Sequence, residues 1–309
     1  MQSDQYLLRQ CPCCGSNIKA DAQIFSEKRA EDLSYEELTP YWNGFFKDKI
    51  FFSYKACEKC QLLYAPIFYN GSQLEALYAQ MPPNMDVVPL SALENTQRSY
   101  FDHLKQSAKF TGGFIEVGPD VGLFTQHCVE EGHFDHFWLF EPNLAVHAEL
   151  TRRMKNAKLS IIDSMFGFLQ VPDRSVNVAV MIQVLDHLLD PVDTLVELRK
   201  KLQPEAKLLI VTHNEQSLLR KVVGTKWPAF CLQHPQIYNP KTITALLDQA
   251  GYDVNSIARS KNYFEFGFLL KHLLWAFGIK VNSLPAFLNF TIPLRLGNMM
   301  TVATPRVES

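Results

Sequence analysis

No run of about 18 uncharged apolar residues occurs in this 309-residue chain, so a membrane-spanning helix is not expected. The opening MQSDQYLLRQ lacks a basic stretch followed by an apolar core, so no secretory leader is expected either, and a cytoplasmic protein is the default. Charge of one sign is scarce as well. A formal net charge of -2 supplies no broad cationic field for a phosphate backbone, and nucleic acid is not an expected partner. Internal repeats and low-complexity tracts are missing. What is present, 47% hydrophobic and 20% charged residues, describes a globular chain with apolar material for one large domain and a small one. Small-molecule ligands are favoured.

Five of the seven cysteines fall into two clusters, CPCC at positions 11 to 14 and CEKC at positions 57 to 60. Cys11 with Cys14, and Cys57 with Cys60, make two C-x-x-C knuckles, each a tight turn that aims two thiolates at one point. Four sulfurs suit tetrahedral zinc, which leaves Cys13 spare. Disulfides or ordinary buried cysteines are the alternative, and a cytosolic chain disfavours the former. Four protein ligands leave no open position, so such a zinc is structural. The stretch 27–48 reads as an excursion before IFFSYKAC brings the chain back to the metal. The expected organisation is a zinc-ribbon module over 1–70, a linker over 71–90 in which Pro82, Pro83 and Pro89 mark irregular chain, and a larger domain over 91–309.

From Ser91 to Phe110 the spacing of Leu93, Tyr100, Phe101, Leu104 and Ala108 predicts an amphipathic helix leading into a strand. That strand, FIEVGPDVG from Phe114 to Gly122, ends in Glu116 and breaks at Gly118 and Gly122, where a ligand could approach the main chain. HFWLFEPN reads as a second strand ending at Glu141, VNVAVMIQVL as a buried fourth and KLLIVTHN as a fifth, with helical patterns between them. The fold class is α/β: a doubly wound, mostly parallel seven-stranded Rossmann-like sheet with a small N-terminal zinc-binding module. Ligands of such sheets lie beyond the carboxyl ends of the strands, where Glu116 and Glu141 fall. A nicotinamide-binding loop would want G-x-G-x-x-G, whereas here the glycines are four apart and an acid precedes them. An acid suits an amino group rather than a pyrophosphate.

Over roughly 91 to 305 these residues resemble the class I S-adenosylmethionine-dependent methyltransferases, a doubly wound family. EVGPDVG fits the family's first motif through Glu116, Gly118 and Gly122, with Asp120 in place of the usual central glycine. Glu141 corresponds to the acid that holds the ribose hydroxyls, Asp163 followed by Ser164 stands where the family contacts the adenine edge, and VLDHLLDPVDTLVELRKKLQPEAKLLIVTHN resembles its helix-to-strand passage. The resemblance implies S-adenosylmethionine as cofactor, held by Glu116, Gly118, Asp120, Gly122, Glu141, Asp163 and Ser164. A zinc-ribbon pattern ahead of this domain is similar to a subgroup associated with methylation of sugars and other small metabolites, which implies a small-molecule acceptor such as a sugar or nucleotide-sugar. Two positions depart from the family: Asn177 stands where an aspartate is common, and Glu205-Ala206 where a glycine turn is common. The alternative function is a non-catalytic zinc-ribbon binding or scaffold protein with a degenerate methyltransferase-like domain.

Methyl transfer asks mainly for orientation, and a hydroxyl acceptor adds the need for a base, for which histidine is suited by its pKa. His187 follows the fourth strand, His213 ends the fifth, and His234 lies in WPAFCLQHPQIYNPKTITALL between Trp227 and Tyr238. His234 is the expected base and His187, in VLDHLLDP, a pocket residue and second catalytic candidate; each has a purely structural alternative. Asn214 is expected either to orient the acceptor or to cap a helix. The apolar segment at about 262–296 is expected to insert between the sixth and seventh strands, before a final strand NMMTVATP. Phe266, Leu269, Leu270, Leu273, Leu274 and Phe277 recur near helical spacing, as in a core or dimer-facing helix. A lid, or a surface for a lipid-linked acceptor, would rest on the same residues.

Overall fold

The computed structural model describes residues 5–17, 22–42, 49–79, 89–155, 157–164, 167–267, 269–271, 281 and 284–307. The N-terminal part carries strands β1 (Leu7–Leu8), β2 (Lys55–Ala56), β3 (Leu63–Tyr64) and β4 (Ile67–Phe68), with helices α1 (Tyr35–Leu38) and α2 (Gly71–Tyr78). The connection expected at 71–90 thus opens as a helix. Asn70 caps it by accepting from the Gln73 backbone N–H while the Gln73 side chain accepts from the Asn70 N–H, so two orphan donors of the helix start are satisfied reciprocally.

The larger part begins with α3 (Leu90–Leu104), β5 (Thr111–Val117), α4 (Leu123–Glu131), β6 (His133–Phe140), α5 (His147–Arg153) and β7 (Leu159–Ile162). It continues with β8 (Val176–Ile182), α6 (Pro191–Lys201), β9 (Leu202–His213), α7 (Leu218–Val223), β10 (Gln236–Ile237), α8 (Pro240–Gln249) and β11 (Tyr252–Arg259). A hairpin of β12 (Asn262–Glu265) and β13 (Thr291–Leu294) precedes the last strand, β14 (Asn298–Pro305). The central sheet runs β11-β14-β9-β8-β5-β6-β7, with β5 to β9 parallel and β14 antiparallel to both neighbours. This is the doubly wound, Rossmann-like architecture the sequence predicts. Winding leaves β5 in one direction through β6 and β7, then resumes at β8 in the other, so the crevice of the fold opens beyond β5 and β8.

Helices cover both faces. Tyr100, Phe101, Leu104 and Phe124 of α3 and α4 pack on one side, and Leu195, Leu198, Ile243 and Leu246 of α6 and α8 on the other. Val178, Ala179, Val180 and Met181 are consequently buried in succession along β8, the unbroken apolar run of a strand covered on both faces. α3 stops at Leu104, short of the expected Phe110, because the chain must straighten to enter the sheet, and the Phe110 carbonyl already accepts from His133 N–H at 2.8 Å. At Glu205-Ala206, where the family commonly has a glycine turn, β9 is continuous. Its register against β8 slips between Val176 and Val178, so the extra residues are taken up as a bulge. Gly112, at φ +72°, leaves room for Asn177, whose Oδ1 would lie 2.5 Å from a Cβ there.

Between β11 and β14 the described residues of the apolar segment include the β12–β13 hairpin. This hairpin is antiparallel and docks on α3, where Tyr263 N–H donates to Thr96 Oγ1 at 2.8 Å and Asn262 Nδ2 to the Tyr100 hydroxyl at 3.0 Å. Phe266, Leu269 and Leu270 are helical; Leu273, Leu274 and Phe277 lie outside the described residues. Among the described residues no helix is long and apolar enough to cross a membrane.

The cysteine-bearing part is built into the rest of the fold. β10 pairs with β3, completing a sheet β10-β3-β2, and Tyr6, Leu38, Phe51 and Phe68 share one core with Trp227, Phe230, Leu232 and Ile237. Arg9 ties the two by donating to the carbonyls of Ala65, Pro235 and Leu189 and to Gln236 Oε1. Burial lowers its pKa to about 10. Whatever holds the knuckles in place therefore also holds the loop between β9 and α8.

Candidate functional site

The four knuckle thiols, of Cys11, Cys14, Cys57 and Cys60, lie within 4.8 Å of one another. Cys11 to Cys60 and Cys14 to Cys57 are both 3.5 Å, near the edge of about 3.8 Å that a sulfur tetrahedron has around zinc at its usual bond length. Both knuckles use the same backbone turn. The residue after the second cysteine is left-handed, Gly15 at φ 66° and Gln61 at φ 65°, and each donates its N–H to the carbonyl of the first cysteine at 2.8 Å. This donor set fits a tetrahedral zinc. Cys13 is buried against it, and burial pushes its thiol up to about 12, the state of a bystander.

The predicted cofactor residues fall in a lateral row at the carboxyl edge of the sheet. Glu116 sits on β5, Glu141 directly follows β6, and Asp163 directly follows β7, with Val117 opposite Phe140 and Phe140 opposite Ile162. Glu116 is 2% exposed and accepts from the Thr125 hydroxyl of α4. Among the described residues no Lys or Arg pairs with it. Burial lifts its pKa to about 8, with Thr125 opposing and Glu141 adding to the rise. A buried carboxyl in that condition is a natural receptor for an ammonium group, which would restore its charge.

Glu141 is buried too. Its Oε2 accepts from Asp120 N–H and its Oε1 from Asn143 N–H, both at 2.8 Å; burial raises its pKa and these two bonds oppose the rise. Asp120 takes φ 52° and Gly118 φ 69°, so the loop carries a left-handed aspartate that aims its N–H at the neighbouring carboxylate. Gly122 answers a packing need: at φ +77° a Cβ would lie 2.5 Å from Leu150 Cδ1 of α5. Asp163 is exposed and Ser164 half-buried.

Across the switch point the carboxyl ends of β8 and β9 carry a second cluster. Asp186 is fully buried, and its Oδ2 accepts from His213 Nδ1 at 2.7 Å and from the His213 backbone N–H at 3.3 Å. His234 lies between the other two imidazoles, its ring centroid 4.7 Å from both His187 and His213. Its Nδ1 is 2.7 Å from the Ala229 carbonyl and 3.3 Å from Cys231 Sγ. His187 Nδ1 meets the Tyr78 hydroxyl of α2 at 2.8 Å. The structure thus brings His187, His213 and His234 together, as three segments well separated in sequence.

Their charges diverge. Burial, then His234, push His187 down to about 3. Burial lowers His213 against the pull of Asp186. For His234 burial is outweighed by Cys231 and Asp186, and its pKa rises to about 9. Trp227 stands 6.0 Å from His213, edge to face, whereas Tyr238 is core, with its hydroxyl on the Leu185 carbonyl. Asn214 is used locally, its Oδ1 accepting from Gln216 N–H at 2.9 Å. Asp186, Cys231 and Tyr78 were missed by sequence reasoning. Asp186 had a signal in its place beside His187 at the end of a buried strand; Tyr78 had none.

A family model of a methyltransferase domain matches residues 93–257, over half of the chain. No curated protein matches it. Among solved structures the fold is similar to an S-adenosylmethionine-dependent methyltransferase of Leishmania major, at 10% identity and TM-score 0.52 over 75% of this chain and 82% of that one. It is also similar to a chain from the complex between the Haloferax volcanii Trm112 methyltransferase activator and a methyltransferase, at 12% identity and TM-score 0.52 over 71% and 93%.

Proposed function

We infer, from the premise that this chain belongs to the methyltransferase-domain family, that it is an S-adenosylmethionine-dependent methyltransferase acting on a small-molecule acceptor. The observation that carries this reading is Glu116, a buried carboxyl at the switch point with no cationic partner among the described residues. The cofactor's amino group is the cation it lacks. Glu141 accepts from the ribose hydroxyls, exchanging one of its loop N–H bonds or sharing an oxygen. Gly118, Asp120 and Gly122 shape the loop, and Asp163 with Ser164 borders the adenine end. When bound, the cofactor supplies a methyl carbon on a positively charged sulfur.

His234 and His187 belong to the acceptor side, where the histidine cluster handles the proton of the transfer. A sugar or nucleotide-sugar is the acceptor class this arrangement serves, on the strength of the zinc-knuckle pattern in front of the domain. The four cysteines hold one structural zinc. Calorimetry with S-adenosylmethionine, followed by mass-spectrometric detection of methylated products over a panel of sugars and nucleotide-sugars, tests the reading. Absence of cofactor binding would refute it. Tight binding with no product from any acceptor would instead favour the non-catalytic scaffold.

A further inference from the structure

Methyl transfer to oxygen needs a base whose lone pair faces the acceptor and a neighbour that tolerates the anion formed. His234 is poorly made for the first task. It is only 5% exposed, and the partner of its Nδ1 is a neutral carbonyl, that of Ala229, which does little to stabilise an imidazolium. His213 has the opposite features: it ends β9 at the carboxyl edge, its side chain is 22% exposed, and its Nδ1 is held by a carboxylate that is itself 0% exposed. We propose that the Asp186–His213 pair is the general base of this enzyme, that His234 is the electrophile beside it, and that the acceptor is therefore a hydroxyl rather than an amine. The proposal rests on the methyltransferase reading and deepens it.

Asp186 acts through His213. By accepting from Nδ1–H it fixes the tautomer in which Nε2 keeps its lone pair, and it stabilises the imidazolium formed once that lone pair takes a proton. Its second oxygen, Oδ1, is buried without a hydrogen-bond partner among the described residues, so no donor among them drains charge from the pair. In the step itself His213 Nε2 takes the acceptor's O–H proton and the freed oxygen pair forms the new O–CH3 bond. The electron pair of the S–CH3 bond that breaks stays on sulfur.

The groups facing His213 are Asp186 from the turn after β8 and Trp227 and His234 from the loop before α8; His187 and Cys231 lie against His234, with Tyr78 behind His187. Against burial, Cys231 and Asp186 draw His234 toward the cation, while burial draws His213 itself toward the neutral form. Two neighbouring groups whose pKa values are driven apart make a base and an acid of the same residue type. A hydroxyl losing its proton gains from a cationic imidazole 4.7 Å from the base. An amine attacking the methyl carbon would build positive charge against that cation.

The test needs no acceptor. The full-length, zinc-loaded protein, with S-adenosylhomocysteine bound, is treated with diethyl pyrocarbonate at pH 7 and mapped by peptide mass spectrometry, since the reagent attacks neutral imidazole. His213 should react about 100-fold faster than His234, the ratio of neutral forms when one imidazole is mostly neutral and the other titrates near 9. Imidazole 15N spectra, assigned with His213→Gln, should show His213 as the Nδ1–H tautomer and His234 doubly protonated, and Asp186→Asn should mix the His213 tautomers. His234 reacting first would overturn the assignment, as would an Nε2–H tautomer at His213. So would a second metal ion, beyond the cysteine-bound one, that is lost in His213→Gln. Calorimetry on the same preparation separates the two levels: a protein that binds no cofactor sinks the methyltransferase reading, whereas cofactor binding with an unreactive His213 sinks only the base.

Discussion

Replacing Glu116 by glutamine should stabilise the ligand-free protein at alkaline pH while weakening its hold on S-adenosylmethionine. Glu116 is buried beneath the loop of the first motif, and burial raises its pKa from 4.5 to about 8. A carboxyl whose folded pKa exceeds its unfolded one binds more protons when folded, so its stabilising contribution is whole below about 4.5 and is lost as pH climbs through 8. Each pH unit in that window removes about 1.4 kcal/mol, which sets a ceiling of about 5 kcal/mol by pH 8. Glutamine keeps the shape and an oxygen for the Thr125 hydroxyl and never ionises. Thermal denaturation of both proteins between pH 5 and 9 should give similar midpoints at pH 5. At pH 8.5 the variant should lead by several degrees, at about 2 °C per kcal/mol for a chain of this length. Cofactor binding adds an independent reading. An ammonium group that ionises Glu116 at pH 7 expels about 0.9 proton, visible as a dependence of calorimetric heat on the buffer's ionisation enthalpy. Parallel stability curves, together with binding that releases no proton, would refute the idea that this carboxyl waits neutral for a cation.

Three further outcomes follow from the same geometry. The purified protein should carry one zinc, and Cys57→Ser should lose it and weaken hydrogen-exchange protection in residues 227–238, because β3 beside the knuckle carries β10; a metal-free, fully stable wild type would count against this. Glu141→Ala should weaken S-adenosylmethionine binding by about 1.5–3 kcal/mol, the scale of charge-assisted hydrogen bonds, and an unchanged dissociation constant in calorimetry would remove it from the ribose site. Gly122→Ala should destabilise the fold by about 1–3 kcal/mol in urea denaturation, since its Cβ would stand 2.5 Å from Leu150 Cδ1 at a positive φ. If Gly122→Ala is as stable as the wild type but binds cofactor poorly, the glycine serves the ligand rather than the packing.

The features legible in the sequence are those whose cause is local. Glu116 and Glu141 announce themselves because a buried strand that ends in an acid is an unusual local arrangement, and periodicity locates the strand that carries each. The two knuckles are legible because C-x-x-C is a turn with its own geometry. The fourth and fifth strands show themselves as unbroken apolar runs, which only a sheet covered on both faces asks for. α3 was overrun by six residues because helical spacing persists past the point where the chain must straighten for β5, and periodicity records which face is apolar rather than where hydrogen bonding changes partner.

The histidine cluster was hidden for a different reason. Tyr78 and His187 are 109 positions apart, and Asp186 and His213 are 27 apart, so no local spacing or periodicity joins either pair. Asp186 and His213 meet because β8 and β9 are parallel neighbours in register, Ile182 opposite Val211, which brings the turn after one strand level with the end of the other. Tyr78 arrives because the N-terminal aromatic residues share a core with Trp227 and Phe230. That core makes the cysteine-bearing part a wall of the site rather than an appendage to it. The lowered pKa of His187 then results from how completely this wall excludes water, whereas His234 is held toward the cation against that burial by Cys231 and Asp186. Loosening the wall, by removing zinc or by Tyr78→Phe, should therefore bring the two imidazoles' titrations closer together in 15N spectra, whereas a separation that survives both changes would place its origin in Asp186 and Cys231 alone.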